Sequence, residues 1–395
     1  MPEVIVVGGG LEGAATAWAL AGRGVTDVLV LERATVGSGM TGKSSGIVRC
    51  HYGVSSLAAM SQYGLEVFEA AEDHFHQTIG FRSTGYIVGV GEGDVEALDA
   101  NLAAQQAVGV QTERIDAAEV AKLWPTAYLD DFAGFAYEPR GGYGDGYMTA
   151  QAFAVTARAA GVKIRQGAAV AEIVVDHDRV QGVRLADGEF IAAGSVVLAT
   201  GVWSSSFLTA LGFDLPITVV REQILMLKPP ADVSDVDKLP VFSDLVSLQY
   251  VRSDVGGEIL FGNSDLDTIE TADPDAYSNR ADTDFLSNTV EKLAHRFPGL
   301  ADGAVASSYA GCYDVTPDFN PVMSRTPVEG LVLAVGFSGH GFKISPAVGR
   351  LVADLVLDGV SSVASIPESD FRLSRFADGA KLTSPHPYSG AGQLR

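Results

Sequence analysis

Gly8, Gly10 and Gly13 stand in the spacing Gly-x-Gly-x-x-Gly directly after the β-branched run Val4–Val7, and Glu32 closes the next apolar run. Each residue type has a physical task in holding a phosphate-linked nucleotide. Gly8 permits a tight turn and Gly10 lets backbone N–H groups approach a pyrophosphate. Gly13 lets the following helix pack on the sheet with its positive end toward the phosphates. Glu32, close to the ~20-residue spacing of such sites, accepts hydrogen bonds from ribose hydroxyls. Gly9, Leu11, Glu12 and Arg33 fall on the same turn and strand end. This constellation predicts a dinucleotide site and leaves NAD and FAD open. Two more glycine-bearing strand ends, Ala199-Thr200-Gly201-Val202-Trp203 and Gly336-Phe337-Ser338-Gly339-His340-Gly341-Phe342-Lys343, suit a long cofactor touching several edges of one sheet.

Elements able to position these residues can be read along the chain. The Ala-rich stretch Ala14–Ala21 predicts a helix, and Asp27–Leu31 a second buried strand. Apolar positions from Ser55 to Phe75 follow helical spacing, and a short helix is expected from Asp94 to Val108. Asp116 with Glu119 forms a capping box for a helix stopped by Pro125. Thr149 is read as the cap of a helix ending near Gly161, followed by strands at Val162–Gln166, Val170–Val175, Val180–Leu185 and Ser195–Ala199. From about Pro216 the runs Val219–Leu227, Ser247–Arg252 and Ile259–Phe261 alternate as an antiparallel sheet does, and a helix from Asp284 to Phe297 follows. Leu331–Val335 is the last strand, Pro346–Leu357 the last helix, and the tail after Phe376 is expected to be mobile.

Composition bounds the partners. The chain has 395 residues with 27 Lys+Arg against 49 Asp+Glu, a net charge of −22, so nucleic-acid phosphates and anionic lipid are disfavoured. Two cysteines exclude a disulfide scaffold and a cysteine-based zinc site and fit a reducing, cytoplasmic setting; no metal site is expected. No apolar run reaches the ~18 residues of a membrane span. Nothing in the sequence speaks to the oligomeric state.

With these motifs in place, the chain resembles the FAD-dependent amine and amino-acid oxidoreductases of the D-amino-acid oxidase superfamily, nearest the sarcosine oxidase and glycine oxidase branch. The resemblance is carried by the dinucleotide loop with Glu32, by Thr41-Gly42-Lys43-Ser44-Ser45-Gly46-Ile47-Val48-Arg49 and by Ala199-Thr200-Gly201. Gly311-Cys312-Tyr313-Asp314-Val315-Thr316-Pro317-Asp318 and the octapeptide ending in Lys343 carry the rest. It implies an α/β fold, a discontinuous Rossmann-like FAD-binding domain (1–78, 141–215 and 305–375) with an inserted antiparallel-sheet α+β substrate domain (79–140 and 216–304). It also implies FAD contacts from Gly8, Gly9, Gly10, Leu11, Glu12, Gly13, Glu32, Arg33, Ser44, Ser45, Val170, Thr200, Gly201, Trp203 and Gly311. Asp318, Gly336, Ser338, Gly339, His340, Gly341, Phe342 and Lys343 complete that set.

On the substrate side the resemblance gives Arg49 and Lys343 as a carboxylate clamp, an arginine fork plus a point charge. Tyr313 and Tyr250 fall where relatives place aromatic hydroxyls, His340 lies near the flavin, and His51 follows Arg49 into the pocket. The implied activity is oxidation of the C–N bond of a small amino acid or N-alkyl amino acid to an imine, by hydride transfer to flavin. Two departures qualify the likeness. Gly311 stands where some relatives carry a flavin-linking cysteine, so FAD is expected to be non-covalent. Leu260 stands where monomeric sarcosine oxidases carry an oxygen-activating lysine, with His340, if protonated, the remaining candidate cation. That opens the alternative of a dehydrogenase or flavin-binding subunit passing electrons to a partner or quinone rather than to oxygen. The acidic stretch Asp265–Asp284 is read as a solvated surface or docking face.

Overall fold

β-Branched runs bounded by glycine become parallel strands buried on both faces. In the computed structural model, which describes residues 2–265 and 270–389, Val4–Val7 lies in the middle of a six-stranded sheet. The order across it is Val322–Arg325, Leu331–Val335, Ser195–Leu198, Val4–Val7, Val28–Glu32 and Lys163–Gln166. Neighbours are parallel except at the Val322–Arg325 edge. Connections leave Val4–Val7 to both sides, so its carboxyl end and that of Ser195–Leu198 form the crevice where such sheets bind ligands. Val4 and Val6 face a core shared with the helices, whereas Ile5 and Val7 face the three-stranded meander of residues 170–192.

The helix expected from Ala14 starts directly after Gly10 and spans Leu11–Gly22. Its buried alanines let other backbones come near: a Cβ at Gly349 of the last helix would lie 2.4 Å from the Ala15 carbonyl. The last helix spans Gly341–Leu357, with Pro346 inside it, rather than starting at Pro346. Proline removes an N–H from the helical ladder; the Ser345 hydroxyl donates to the Phe342 carbonyl instead, over 2.9 Å. Asp145, not Thr149, caps the helix Gly146–Ala159 by accepting from the Met148 N–H. The Asp116–Glu119 capping box forms as read.

A nine-stranded sheet makes the second layer, antiparallel except where Val241–Asp244 runs parallel to Tyr86–Val90. Its long strand Thr218–Lys228 pairs with Gln249–Ser253 only through Ile259–Asn263, and on its other edge with Ala304–Val315. Ala304–Val315 is therefore a strand of this layer along its length. Leu225 and Leu227 point to a core with Phe242, Phe261, Phe297 and Trp124, and the alternate residues Glu222 and Ile224 face the first layer. The mixed α/β architecture expected from the sequence is what the chain adopts. No helix among the described residues is long and apolar enough to cross a membrane.

The tail corrects another expectation. Through Ser389 it is tied to the body, because Leu382 N–H donates to Asp318, Asn320 donates to the Leu382 carbonyl, and Asn101 donates to that of His386. Tyr388 is buried with its hydroxyl 2.8 Å from His51 Nε2. The remainder of the tail, 390–395, lies outside the described residues. At its root the fully buried Arg375 and Asp318 form a two-pronged ion pair of 2.8 and 3.0 Å. Breaking such a pair from one side leaves an uncompensated buried charge. Asp318→Asn is therefore expected to lower unfolding free energy by about 3–5 kcal/mol, measured by urea titration of tryptophan fluorescence against wild type.

Candidate active site

The first turns of two helices and the ends of three parallel strands meet around a cavity of about 660 Å³, inside the ~300–1,000 Å³ usual for cofactor sites. The nucleotide loop gives it Gly8, Gly10, Leu11 and Glu12, and the second strand Glu32 and Arg33. Ser44, Ser45, Val170, Thr200, Gly201, Trp203 and Gly311 line it as well, with Gly339, Gly341 and Phe342 at the last helix. Gly9 and Gly13 act from beneath. Gly9 N–H and Ala34 N–H each donate to Glu32 over 2.7 Å and fix that carboxylate at the cavity edge. A Cβ on Gly13 would stand 2.0 Å from the Gly8 carbonyl, so only glycine lets the helix start there. Arg33 lies over Trp203, 3.8 Å from the ring centroid.

Whether these walls suit FAD is tested by Glu12. Its carboxyl is buried, its Oε2 has no partner, and burial, followed by the nearby Asp314, pushes its pKa well up. A neutral carboxyl donates as well as accepts, so it can meet a ribityl hydroxyl or a phosphate oxygen, the second of which an ionised carboxylate would repel. With the glycine cradle and the fixed Glu32, the residues present fit the dinucleotide. Cys312 also lines the cavity; burial pushes its thiol to about 11. A thiol that stays protonated is a poor nucleophile for covalent attachment.

A smaller cavity shares Ser44, Ser45, Tyr250, Gly339 and Phe342 with the first and adds Arg49, Lys343 and Ser243. Arg49 is buried, donates to the His51 carbonyl and lies 4.2 Å from the Tyr52 ring centroid. Lys343 is buried with its Nζ 5.8 Å from the same ring, and burial and then Arg49 hold its pKa well below the usual lysine value. Burial, with Arg49, drives His51 down to about 3. His340 is likewise driven down by burial, then by Lys343 and Arg49; its Nδ1 is 3.0 Å from the Tyr52 hydroxyl. Both histidines are therefore neutral, which removes His340 as the candidate cation toward oxygen. Tyr250 packs so closely on Gly262 that a Cβ there would lie 2.1 Å from its ring. Burial, then Tyr313 and Glu222, raises the Tyr250 phenol well above its ordinary value, and Tyr313 lines the larger cavity.

Four sequence-derived cofactor residues lie behind the walls instead, His340 against Tyr52 among them. Asp318 is spent on Arg375 and Thr316. Gly336 donates to Asp314 over 2.8 Å, and Ser338 accepts from Thr316 N–H over 3.1 Å, so both shape the strand end without lining it. The described part of the acidic stretch is largely exposed, as the sequence reading has it, and it is anchored at several points. Asp275 accepts from Trp203 at 3.0 Å, Tyr277 meets Lys43, and Asp282 binds Arg221, so the segment covers the cavity rim. Residues 266–269 of that stretch lie outside the described residues. Sequence reasoning missed Tyr277, Met40 and Glu222 among the cavity walls, since nothing local marks them.

A family model described as FAD dependent oxidoreductase matches residues 3–355. Sarcosine oxidase subunit beta of Rhodobacter capsulatus is 27% identical over 383 residues, 95% of this chain and 89% of that protein. The 4-methylaminobutanoate oxidase (formaldehyde-forming) of Paenarthrobacter nicotinovorans is 27% identical over 99% of this chain, which spans 48% of that protein. Among solved structures, L-proline dehydrogenase from P. horikoshii has a TM-score of 0.87 at 26% identity, covering 96% of this chain and 99% of that one.

Two outcomes are expected of this geometry. Acid precipitation of the flavin-loaded protein leaves the yellow flavin in the supernatant, read by absorbance. A small carboxylate entering beside Lys343 raises that depressed pKa, so binding takes up a proton in the pH window between the two values. Calorimetry in buffers of differing ionisation enthalpy reads this uptake, and Lys343→Met abolishes it.

Proposed function

The chain belongs to the FAD dependent oxidoreductase family, and from that premise we propose that it oxidises the C–N bond of a small amino acid, preferring a secondary, N-alkylated amine. The observation that carries the reading is the buried pair Arg49 and Lys343 opening onto a cavity that fits FAD, with both neighbouring histidines neutral. Two basic side chains concentrated in one buried pocket seek a carboxylate. Sarcosine, 4-methylaminobutanoate and L-proline, named for the three relatives above, share a carboxylate and a secondary amine. The six-stranded layer is the FAD-binding domain in this reading, and the nine-stranded layer the substrate domain.

Bound FAD supplies the two-electron acceptor that takes hydride from the carbon next to nitrogen. Arg49 grips the substrate carboxylate, and Lys343 regains its proton beside it. Tyr250 and Tyr313 flank the substrate on the sheet side, while Phe342 and the apolar cluster of Ile224, Met226 and Leu260 exclude water. The first turn of the last helix aims its positive end toward the cavity and favours negative charge there. The imine product hydrolyses in water. The unpaired, buried Cys50 and Cys312 support a reducing, cytoplasmic setting.

Leu260 favours a second reading of where the electrons go. It is buried in an apolar cluster with Tyr250, and His340 is neutral, so neither offers oxygen the cation that steadies superoxide. Electron transfer to a partner or quinone fits this, as does the word subunit in one relative's name.

Anaerobic addition of N-methylglycine or proline is expected to bleach the flavin spectrum, and the matching amines without a carboxylate are not. Arg49→Ala should lose roughly ten- to a hundred-fold in kcat/KM, the value of one charge-assisted hydrogen bond. In stopped-flow reoxidation of the substrate-reduced protein, an artificial dye is expected to outpace oxygen; the reverse order would identify a plain oxidase.

A further inference from the structure

One carboxyl in the larger cavity has no task in the reading above. Glu222 lies on the strand Thr218–Lys228, opposite Gly311 of its neighbour, on the face that looks into the cavity beside Ile224, Tyr250 and Tyr313. Among the described residues nothing donates to it or pairs with it, although the guanidinium of Arg221 is the next residue along. Arg221 points to the other face and is spent on Asp282 and Glu270 at 2.5 and 2.9 Å. A strand alternates its sides, so the nearest cation cannot compensate Glu222.

Tyr250 borders both cavities, and this orders their chemistry. Beyond it lie Arg49 and Lys343, the two basic side chains that take the substrate carboxylate in that reading. Before it lies Glu222, an acid without a cation. An amino acid is a zwitterion that complements this arrangement end for end. Its nitrogen arrives protonated, and a protonated nitrogen has no lone pair with which to expel hydride.

Resting on the reading above, we propose that Glu222 is the base that receives the ammonium proton of the bound amino acid. One N–H bond breaks, its electron pair stays on nitrogen, and one O–H bond forms on Glu222. The neutral amine is then ready for oxidation, and the proton leaves to solvent after product release. Burial alone pushes Glu222 up to about 8 in the empty site, so the ionised fraction at pH 7 is the minor one; that fraction is the form the ammonium selects, and its carboxylate is a stronger base than an exposed one. The titratable groups about it do not compete. Tyr250 and Cys312 are raised and stay protonated, and Asp314 accepts from the Gly336 backbone. Tyr313 is its other phenol neighbour, and Lys43 is held by Tyr277, Asn279 and the Ala310 carbonyl.

The test compares wild type with Glu222→Gln, both loaded with FAD, using N-methylglycine or proline as substrate and methoxyacetate as a ligand that keeps the carboxylate but has no ammonium. Proton transfer by a positioned group is worth about a hundred-fold or more. Glu222→Gln is expected to lose about that factor in kcat/KM at pH 7, with the gap closing as pH rises and the free amine forms in solution. Its methoxyacetate affinity, read from the flavin spectrum, stays within about three-fold of wild type, and Glu222→Asp recovers part of the rate. Wild-type efficiency and an unchanged acid limb in Glu222→Gln overturn this proposal alone, as does a parallel loss of methoxyacetate binding, which marks an architectural role. Wild-type protein that no amino acid reduces overturns the parent reading and this proposal together.

Discussion

A lysine buried beside an arginine is the constraint around which the site is built. Each charge opposes the other, and neither has bulk water to screen it, so the empty site settles the conflict by loosening the Lys343 proton. Holding the two side chains together against that repulsion requires a rigid frame, and each comes from a different part of the chain. Arg49 follows the short Ile47–Val48 ladder, which pairs with Gly142 and Tyr143. Lys343 sits in the first turn of the last helix, where a cation also opposes the helix dipole. That turn is clamped by the helix Ser55–Glu69: a Cβ on Gly64 would lie 1.9 Å from the Lys343 carbonyl. The tail completes the frame, because Tyr388 reaches His51, whose carbonyl accepts from Arg49.

The two layers contribute different things to the cavity between them. The parallel sheet offers backbone: glycine turns, helix N-termini and strand ends, groups whose position is set by the ladder itself. The antiparallel sheet offers side chains, Glu222, Ile224 and Tyr250, spaced by the alternation of its strands. Polar positioning of a long cofactor tolerates little movement, whereas a substrate wall can change residue by residue without altering the ladder. Relatives under a third identical can therefore share the fold over nearly the whole chain and differ in the amine they take. The rim segment with Asp275 and Tyr277 joins the layers, since its anchors Trp203, Arg33 and Lys43 all belong to the cofactor side.

The cofactor half of this was legible because its chemistry is local. Gly8 to Gly13 and Glu32 come together at the cavity through one turn and the adjoining strand end, and the capping box at Asp116 is a contact of three residues' reach. Errors arose where distant partners decide. Pro346 looks like a first-turn proline, yet Ser345 satisfies the carbonyl it strands, and the helix begins five positions earlier at Gly341. The tail reads as polar linker, but its backbone groups are met by Asn320, Asn101 and Asp318, none of them near in sequence. Asp318 carries a motif's position and an ion pair's function. Glu222 is invisible in a strand pattern, since an acid on an alternating strand ordinarily faces water; only the second layer turns that face into a cavity wall.

A net charge of −22 bears on which molecules reach the site. At physiological salt, charges act over about 8 Å, so the bulk of the acidic surface neither draws nor repels a small solute that has entered. Within that distance of the outer surface the summed field disfavours anions. A simple carboxylate approaches against it, while a zwitterion carries no net charge and approaches freely. Inside, the order reverses: Arg49 and Lys343 favour the carboxylate end, and the acid wall at Glu222 favours the ammonium end. Surface and cavity thus impose separate conditions, and a small amino acid with its nitrogen protonated in solution meets both.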